Sequence, residues 1–322
     1  LILYSTLTFA GSIILQVFYI LYSRANFEES RYQWYFEKKY FSELLNYSGW
    51  NLFGNIAAVA RNQGGNILLN IFFGPVLNAA YSLSSIVQGV VSNFVISFQT
   101  SINPQIVKNY ANGNVELSHK LIFQSAKFSF FIMFVFVLPI LYNLAFLLQL
   151  WLENFPPYTS EFIFFSILIS LLECISNPLM NGLQATGKIK LYQVVVGSLI
   201  FLNLPIAWIV LKYSNDPIFL FYTIFCIGFL SLFFRLFFIR KYMDFDVKSF
   251  FKQVLFRILI VVIVVIILLG LLGELFCLVT SLKGFLWNSF IVLIISVFTI
   301  ILFGLQKSER DLLLISFKTI FL

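Results

Sequence analysis

ILIVVIVVIILLGLLG, residues 258–273, presents apolar side chains or glycine all around a helix and contains no charged residue. An α-helix of roughly 20 apolar residues crosses the hydrocarbon core of a bilayer, which is about 30 Å thick. Similar segments recur along the chain, without the apolar–polar alternation of barrel strands. The spans are therefore predicted to be helices, near residues 1–22, 48–73, 75–103, 121–150, 162–184, 191–211, 217–239, 253–273 and 284–306.

The composition of the 322-residue chain excludes a soluble globular domain. Hydrophobic residues make up 60% of the chain and charged residues only 11%, and the mean hydropathy is +0.92. A soluble domain needs a far more charged surface. The predicted fold class is an all-α polytopic membrane protein with nine transmembrane helices.

The basic residues concentrate in alternate loops. Of the 21 Lys and Arg residues, all except Lys212, Lys283 and Arg61 lie in or near one set of segments. These segments are 24–47, 104–120, 185–190, 240–252 and 307–322. By the positive-inside rule this side is the cytoplasm, and the unbroken alternation independently supports nine spans. It places residue 1 outside, so we expect a fragment that lacks its start, with an odd number of spans before it.

Cysteine and histidine form no metal or catalytic pattern. Cys174, Cys226 and Cys277 lie in or beside spans without CxxC or Cys/His spacing, so they are predicted to be packing residues. His119 is the only histidine, which argues against a zinc site or a Ser-His-Asp triad. No catalytic residue and no metal ligand is predicted.

Two segments outside the spans are amphipathic. FEESRYQWYFEKKYFSELLNY, residues 27–47, mixes aromatic residues with charges of both signs and predicts an interfacial helix. The tail 307–322 is predicted to lie on the inner leaflet, and neither segment is basic enough for nucleic acid. Prolines within the spans should kink or break helices, and one should end its span. These are Pro139, Pro178 and Pro205, and then Pro104.

Polar residues form stripes on three of the predicted helices. Wrapping each span at 100° per residue places them on one face. The stripes are Asn51, Asn55, Asn62, Asn66 and Asn70; then Asn78, Ser82, Ser85, Ser92 and Gln99, with Gln88 at the margin; and then Ser166, Ser170, Glu173, Asn177 and Gln184. Together they predict a polar cavity, with the apolar last two spans at the periphery. The alternative is ordinary hydrogen bonding between helices, worth roughly 0.6 kcal/mol per residue.

Arg61 is the strongest single signal for a functional site. An Arg at the centre of a bilayer costs about 2.5–3.5 kcal/mol even on the most lenient scale, so it should face a partner or water. Glu173 lies at a similar depth in its span. We expect the two to interact or to line the same cavity. The alternative is a structural ion pair without a transport role.

Four stretches carry a resemblance to a known family. They are NQGGNILLNIFFGPVLNAAYSLSSIVQG (62–89), NPQIVKNYANGN (103–114), LWLENFPPYTSEF (150–162) and GLQATGKIKLYQ (182–193). The chain resembles the polysaccharide-export branch of the multidrug/oligosaccharidyl-lipid/polysaccharide superfamily, whose fold is MATE-like. It is most similar to O-antigen (Wzx-type) flippases. The likeness covers roughly residues 1–306 in span pattern and is most specific over about 48–195.

The resemblance implies a fold of two six-helix lobes around a central cavity. On that template, residues 1–23 are the last helix of the first lobe and residues 24–47 a cytoplasmic linker. Residues 48–241 form the second lobe, 242–306 two accessory helices and 307–322 a cytoplasmic tail. Five helices would be missing, in agreement with the odd number that the charges require.

The resemblance also implies a function in the bacterial inner membrane. A flippase of this family moves an undecaprenyl-pyrophosphate-linked oligosaccharide from the inner to the outer leaflet by alternating access. It needs membrane lipids, no nucleic acid and no cofactor beyond a coupling proton or sodium ion; glycosyltransferases or a polymerase of the same pathway are candidate partners. The expected cavity residues are Asn51, Asn55, Arg61, Asn62, Asn66, Asn70, Asn78, Gln88, Glu173 and Asn177.

Two other functions stay open. An ion-coupled multidrug exporter of the same superfamily would share the fold, with Glu173 serving proton or sodium coupling. A membrane polysaccharide polymerase or glycosyltransferase is less favoured, because the outer loops are short and carry few charges. The chain is predicted to be a non-enzyme that does not transport on its own, since half of the cavity would be missing.

Overall fold

The computed structural model describes residues 2–30, 32, 34–152, 154–272 and 281–311, which form helices joined by short turns and no strand. The helices are α1 (Ile2–Asn26), α2 (Lys38–Phe73), α3 (Pro75–Ala111), α4 (Val115–Tyr142), α5 (Leu144–Leu152), α6 (Thr159–Ala185), α7 (Lys190–Ser214), α8 (Ile218–Met243), α9 (Val247–Leu271) and α10 (Leu282–Gly304). A 3₁₀ turn covers Glu28–Ser30. Helices α7, α9 and α10 each contain a π-helical turn, at Gln193–Gly197, Phe251–Leu255 and Ile300–Gly304.

Eight helices within the described residues are long and apolar enough to cross a membrane: α1, α3, α4, α6, α7, α8, α9 and α10. The prediction of an all-α polytopic membrane protein is therefore confirmed. Helix α2, which contains the predicted span 48–73, is 36 residues long but falls short in apolarity, since its Asn stripe, Arg61 and Gln63 interrupt the apolar run. Its membrane crossing, and with it the count of nine, stays a prediction.

Two predicted helix boundaries differ from the structure. Pro104 does not end its helix, because α3 continues to Ala111. The extension is held by the fully buried Ile106, whose carbonyl accepts a hydrogen bond from Ser118 Oγ at 3.1 Å. The predicted span 121–150 is divided between α4 and α5. The break follows Pro139, whose carbonyl accepts the Asn143 side-chain amide at 2.9 Å.

The chain divides into two compact units, Leu1–Asn46 and Tyr47–Leu322. In the first unit, the described side chains of α1 are exposed or half-buried and none is buried. The segment 27–47 is not one interfacial helix: the 3₁₀ turn comes first, residues 34–37 are non-helical, and α2 begins at Lys38.

The second unit is built around three mutually packed helices, α3, α4 and α6. Helix α8 packs on α6, and α7 packs on α8. Helix α2 approaches its neighbours through glycine: a β-carbon at Gly54 would overlap Gln193, and one at Gly64 would overlap Leu204. Glycine permits this close approach, as is common between membrane helices.

Helices α9 and α10 pack on each other and on α4. Val261 and Val265 of α9 are fully buried against this neighbour set, whereas Ile266 on its other face is 62% exposed. The outer face of α9 is therefore exposed, and the assignment of α9 and α10 as accessory helices stays a prediction. Helix α10 differs from the prediction in burying polar Ser296 and Thr299, whose hydroxyls donate to carbonyls of their own helix.

Candidate functional site

Arg61 of α2 and Glu173 of α6 form an ion pair inside the second unit. Arg61 Nη2 donates to Glu173 Oε1 at 2.8 Å, and Arg61 Nε donates to Asn62 Oδ1 at 3.2 Å. The side chains of Arg61 and Glu173 are 17% and 36% exposed. The interaction that their shared depth predicts is therefore present. Pairing lowers the cost of placing each charge in an apolar bundle.

On one side of this pair lies a cavity of about 210 Å³, which we call the α8 cavity. Helices α2, α6, α7 and α8 line it. Its polar lining consists of Asn55, Arg61, Glu173, Ser176, Asn177, Gln184, Tyr192, Gln193, Ser231 and Arg235. Four of the predicted cavity residues, Asn55, Arg61, Glu173 and Asn177, therefore meet here.

On the other side lies a larger second cavity of about 480 Å³, which we call the α3 cavity. Helices α2 and α3 provide most of its lining. Its polar residues are Arg61, Asn62, Gln63, Asn66, Tyr81, Ser82, Ser85, Gln88, Ser92 and Glu173. Predicted residues Asn62, Asn66 and Gln88 lie here, and Gln88 Nε2 donates to Ser170 Oγ of α6 at 2.7 Å.

The two cavities extend toward opposite ends of the bundle. The α8 cavity is lined by the second half of α6, ending at Gln184, and the start of α7. The α3 cavity is lined by the first half of α3 and by α2 residues nearer the turn at Gly74. Because successive helices run in opposite directions, the α8 cavity lies toward the end that carries the basic segments 185–190 and 240–252. Arg61 and Glu173 line both cavities and lie between them.

Three predicted residues lie outside both cavities. Asn51 Oδ1 accepts the side-chain amides of Gln184 at 3.3 Å and Gln193 at 3.2 Å, so it ties α2 to α6 and α7 at the edge of the α8 cavity. Asn70 is exposed on the last turn of α2, and Asn78 is half-buried on the first turn of α3. The stripe therefore continues past the region where the helices enclose space.

Part of the polar stripe on α3 and α6 serves helix packing. Buried Gln99 Nε2 donates to Ser129 Oγ at 3.0 Å and to the Cys174 carbonyl at 3.3 Å. Ser166 Oγ donates to Ser84 Oγ at 3.3 Å. For these residues the simpler alternative of interhelical hydrogen bonding holds.

Arg235 is a cavity residue that the sequence analysis missed. It lies on α8 and was counted only among the charges near the basic end. Its signal is a stripe on α8, since Gly228, Ser231 and Arg235 are spaced at three and four residues and share one helix face. Gln193, in the π-helical turn of α7, is a second cavity residue that lies outside the three predicted stripes.

The chain matches no protein-family model, no curated protein and no solved structure in the comparisons. Among the described residues, no group of three or more His, Cys, Asp or Glu could hold a metal ion. Cys174 is a buried free thiol and Cys226 an exposed one, whereas Cys277 lies outside the described residues.

Proposed function

We propose that the chain is a lobe of a bacterial inner-membrane flippase that moves an undecaprenyl-pyrophosphate-linked oligosaccharide from the inner to the outer leaflet. The observation that carries the proposal is a pair of cavities with polar side chains in their walls, which meet at Arg61 and Glu173. A hydrated sugar cannot enter hydrocarbon without hydrogen-bonding partners, and cavities of this kind supply them. The isoprenyl chain of the substrate stays in the lipid.

The side chains suit neutral sugar hydroxyls. Asn and Gln amides each offer two donors and an acceptor oxygen, and Ser hydroxyls do both, so one lining can bond hydroxyls in many orientations. Asn66 Oδ1 is buried without a hydrogen-bonding partner among the described residues. A bound hydroxyl would satisfy this acceptor.

The ion pair supplies a candidate barrier for alternating access. In the present conformation, the contact between Arg61 and Glu173 separates the α8 cavity from the α3 cavity. Opening this contact, together with rocking of one lobe against another, would join the two cavities into a path. No covalent chemistry is required, so the proposed protein is a non-enzyme.

An ion-coupled drug exporter is the second candidate, because a carboxylate lies in the cavity. Glu173 is already engaged by Arg61 in this conformation, so its carboxylate is not available to a cationic drug unless the pair opens. The neutral hydrogen-bonding surface of the α3 cavity also fits a sugar better than a lipophilic cation. Both points favour the flippase.

A binding measurement on the chain in lipid nanodiscs tests the proposal. The probes are an isoprenyl-pyrophosphate-linked oligosaccharide, the same isoprenyl pyrophosphate without sugar, and a lipophilic cation. We expect the sugar to tighten binding about tenfold, which corresponds to one to three hydrogen bonds. Preferential binding of the cation, or no effect of the sugar, would overturn the flippase proposal.

Asn66 and Asn70 provide a matched pair of variants. They lie one turn apart on the same stripe of α2, but only Asn66 lines a cavity. Asn66→Leu should weaken binding of the sugar-bearing lipid several-fold, by about 1 kcal/mol for one lost hydrogen bond, and leave the sugar-free lipid unaffected. Asn70→Leu should change neither. Equal effects of both variants would contradict a sugar site in the α3 cavity.

A further inference from the structure

We propose that Arg235, with Ser231, binds the phosphate groups of the substrate in the α8 cavity, and that Arg61 does not. This inference rests on the proposed function and assigns the anionic and neutral parts of the substrate to different cavities. Both Arg235 and Ser231 lie on α8, and both line the α8 cavity.

The charge of Arg61 is already matched within the protein. Its Nη2 donates to Glu173 Oε1 and its Nε to Asn62 Oδ1, at 2.8 and 3.2 Å. A carboxylate this close offsets much of the attraction that the guanidinium exerts on an incoming anion, because the opposite charges lie near each other. Arg61 therefore offers an anion little net attraction while the pair is intact.

Arg235, unlike Arg61, has no charge partner among the described residues. Its Nε is buried and makes no hydrogen bond to any described residue, and it forms no ion pair within that part of the chain. One turn earlier, Ser231 is 2% exposed and its hydroxyl also lacks a partner among the described residues. Both residues line the α8 cavity. Buried polar groups normally have partners, so two unpartnered groups on one helix face mark a position for a ligand.

The unmatched groups define the chemistry of that ligand. A guanidinium recognises phosphate or carboxylate through parallel N–H donors, and a Ser hydroxyl can donate a further bond to the same oxygens. The lining of the α8 cavity contains two Arg and one Glu, which leaves it one positive charge in excess. The α3 cavity contains only the matched pair, so it is neutral overall.

This distribution orients the substrate. The anionic end is attracted to the α8 cavity, which lies toward the basic end of the bundle, and the neutral sugar fits the amides and hydroxyls of the α3 cavity. Helix α8 ends at Met243, eight residues beyond Arg235, so Arg235 lies about 12 Å from that end at 1.5 Å per residue. It is therefore within reach of a headgroup that enters from the basic side.

The test measures binding of farnesyl pyrophosphate and uncharged farnesol to the chain in nanodiscs of zwitterionic lipid. Arg235→Gln should weaken farnesyl pyrophosphate binding about tenfold or more, because hydrogen bonds to charged groups are lost, and leave farnesol binding unchanged. Arg235→Lys should recover part of the loss. Arg240→Gln is the matched control, since Arg240 is exposed on the same helix and outside the cavity, and it should change binding less than about twofold.

Competition by inorganic pyrophosphate and by glucuronate identifies the source of the anion. Stronger competition by pyrophosphate supports phosphate recognition, whereas stronger competition by glucuronate would replace it with an acidic sugar. Unchanged affinity in Arg235→Gln, or a larger loss in Arg61→Gln, would overturn the proposal. Its failure is separable from that of the flippase function, because farnesyl pyrophosphate carries no sugar and the sugar-dependent gain is measured independently.

Discussion

Two ion pairs occur within the described residues, and they differ in exposure and in bonding. Lys127 of α4 places Nζ 2.6 Å from both carboxylate oxygens of Glu309, which follows α10, and the side chains are 2% and 9% exposed. Arg61 reaches one oxygen of Glu173, and those side chains are 17% and 36% exposed. The first pair is almost completely buried in the wall of a further cavity, lined by residues of α4, of α9 and of the segment after α10, whereas the second lies between the α8 and α3 cavities.

Further hydrogen bonds surround the buried Lys127–Glu309 pair. The backbone N–H of Gln306 donates to Glu309 Oε2 at 2.7 Å, and Arg257 Nη1 of α9 donates to the Leu305 carbonyl at 2.7 Å. These bonds fasten the segment after α10 to α4 and α9. No comparable network surrounds Glu173, whose only described hydrogen bond is the one from Arg61.

The difference in burial predicts different energetic costs for breaking the two ion pairs. Breaking a buried pair leaves an uncompensated charge in the protein interior. The Arg61–Glu173 pair is more exposed and lines two cavities, so its groups can exchange partners with water or a ligand at a smaller cost. We infer that the Lys127–Glu309 pair stabilises the fold and that the Arg61–Glu173 contact opens during transport.

The largest effect on stability is expected from breaking the buried Lys127–Glu309 pair. Lys127→Met leaves Glu309 charged and unpaired, which should lower the free energy of unfolding by about 3–5 kcal/mol. Thermal unfolding in detergent would show this as a large drop in Tm. The double variant Lys127→Met/Glu309→Met should recover most of the loss, and a single variant as stable as the wild type would refute the structural role.

Breaking the cavity pair should affect function more than stability. Arg61→Ala should lower the unfolding free energy less than Lys127→Met does, because Arg61 and Glu173 are more exposed than Lys127 and Glu309. Flipping in liposomes, measured by sugar accessibility on the outer leaflet, should fall by an order of magnitude or more if this contact must open during transport. Normal folding and normal lipid flipping by the variant would show that the Arg61–Glu173 contact has no role in transport.

The smallest effect concerns an exposed carboxylate that neither pair uses. Asp246 caps α9, accepting the Ser249 backbone N–H at 3.0 Å and its hydroxyl at 2.5 Å, and these bonds lower the pKa of Asp246. Its stabilising contribution is therefore complete above the unfolded pKa of about 3.9 and is lost as the pH falls through the lower folded pKa.

Asp246→Asn removes that titration. We expect the variant to show a slightly smaller decrease in Tm than the wild type between pH 5 and the acid range below about pH 3.9. Identical pH profiles for the two proteins would show that the cap contributes no proton-linked stability.

The sequence alone determined the helices and their polar faces. Apolar length predicted the spans, and the spacing of Asn55, Asn62 and Asn66 predicted which face of α2 meets a cavity, because both follow from local helix geometry. Equal depth in their spans was enough to predict that Arg61 and Glu173 interact. The family resemblance and the transport role stay predictions.

Only the tertiary structure decided which faces enclose space and which charges find partners. Lys127 and Glu309 are 182 positions apart, and no local pattern relates them. In the sequence, Arg235 is one of several basic residues near a helix end. The packing of α8 on α6 places it in the wall of a cavity. Asn70 shares the stripe of Asn66 yet lies beyond the enclosed region. The physical reason is that periodicity fixes the direction of a side chain relative to its own helix, whereas partners are set by contacts between helices distant in sequence.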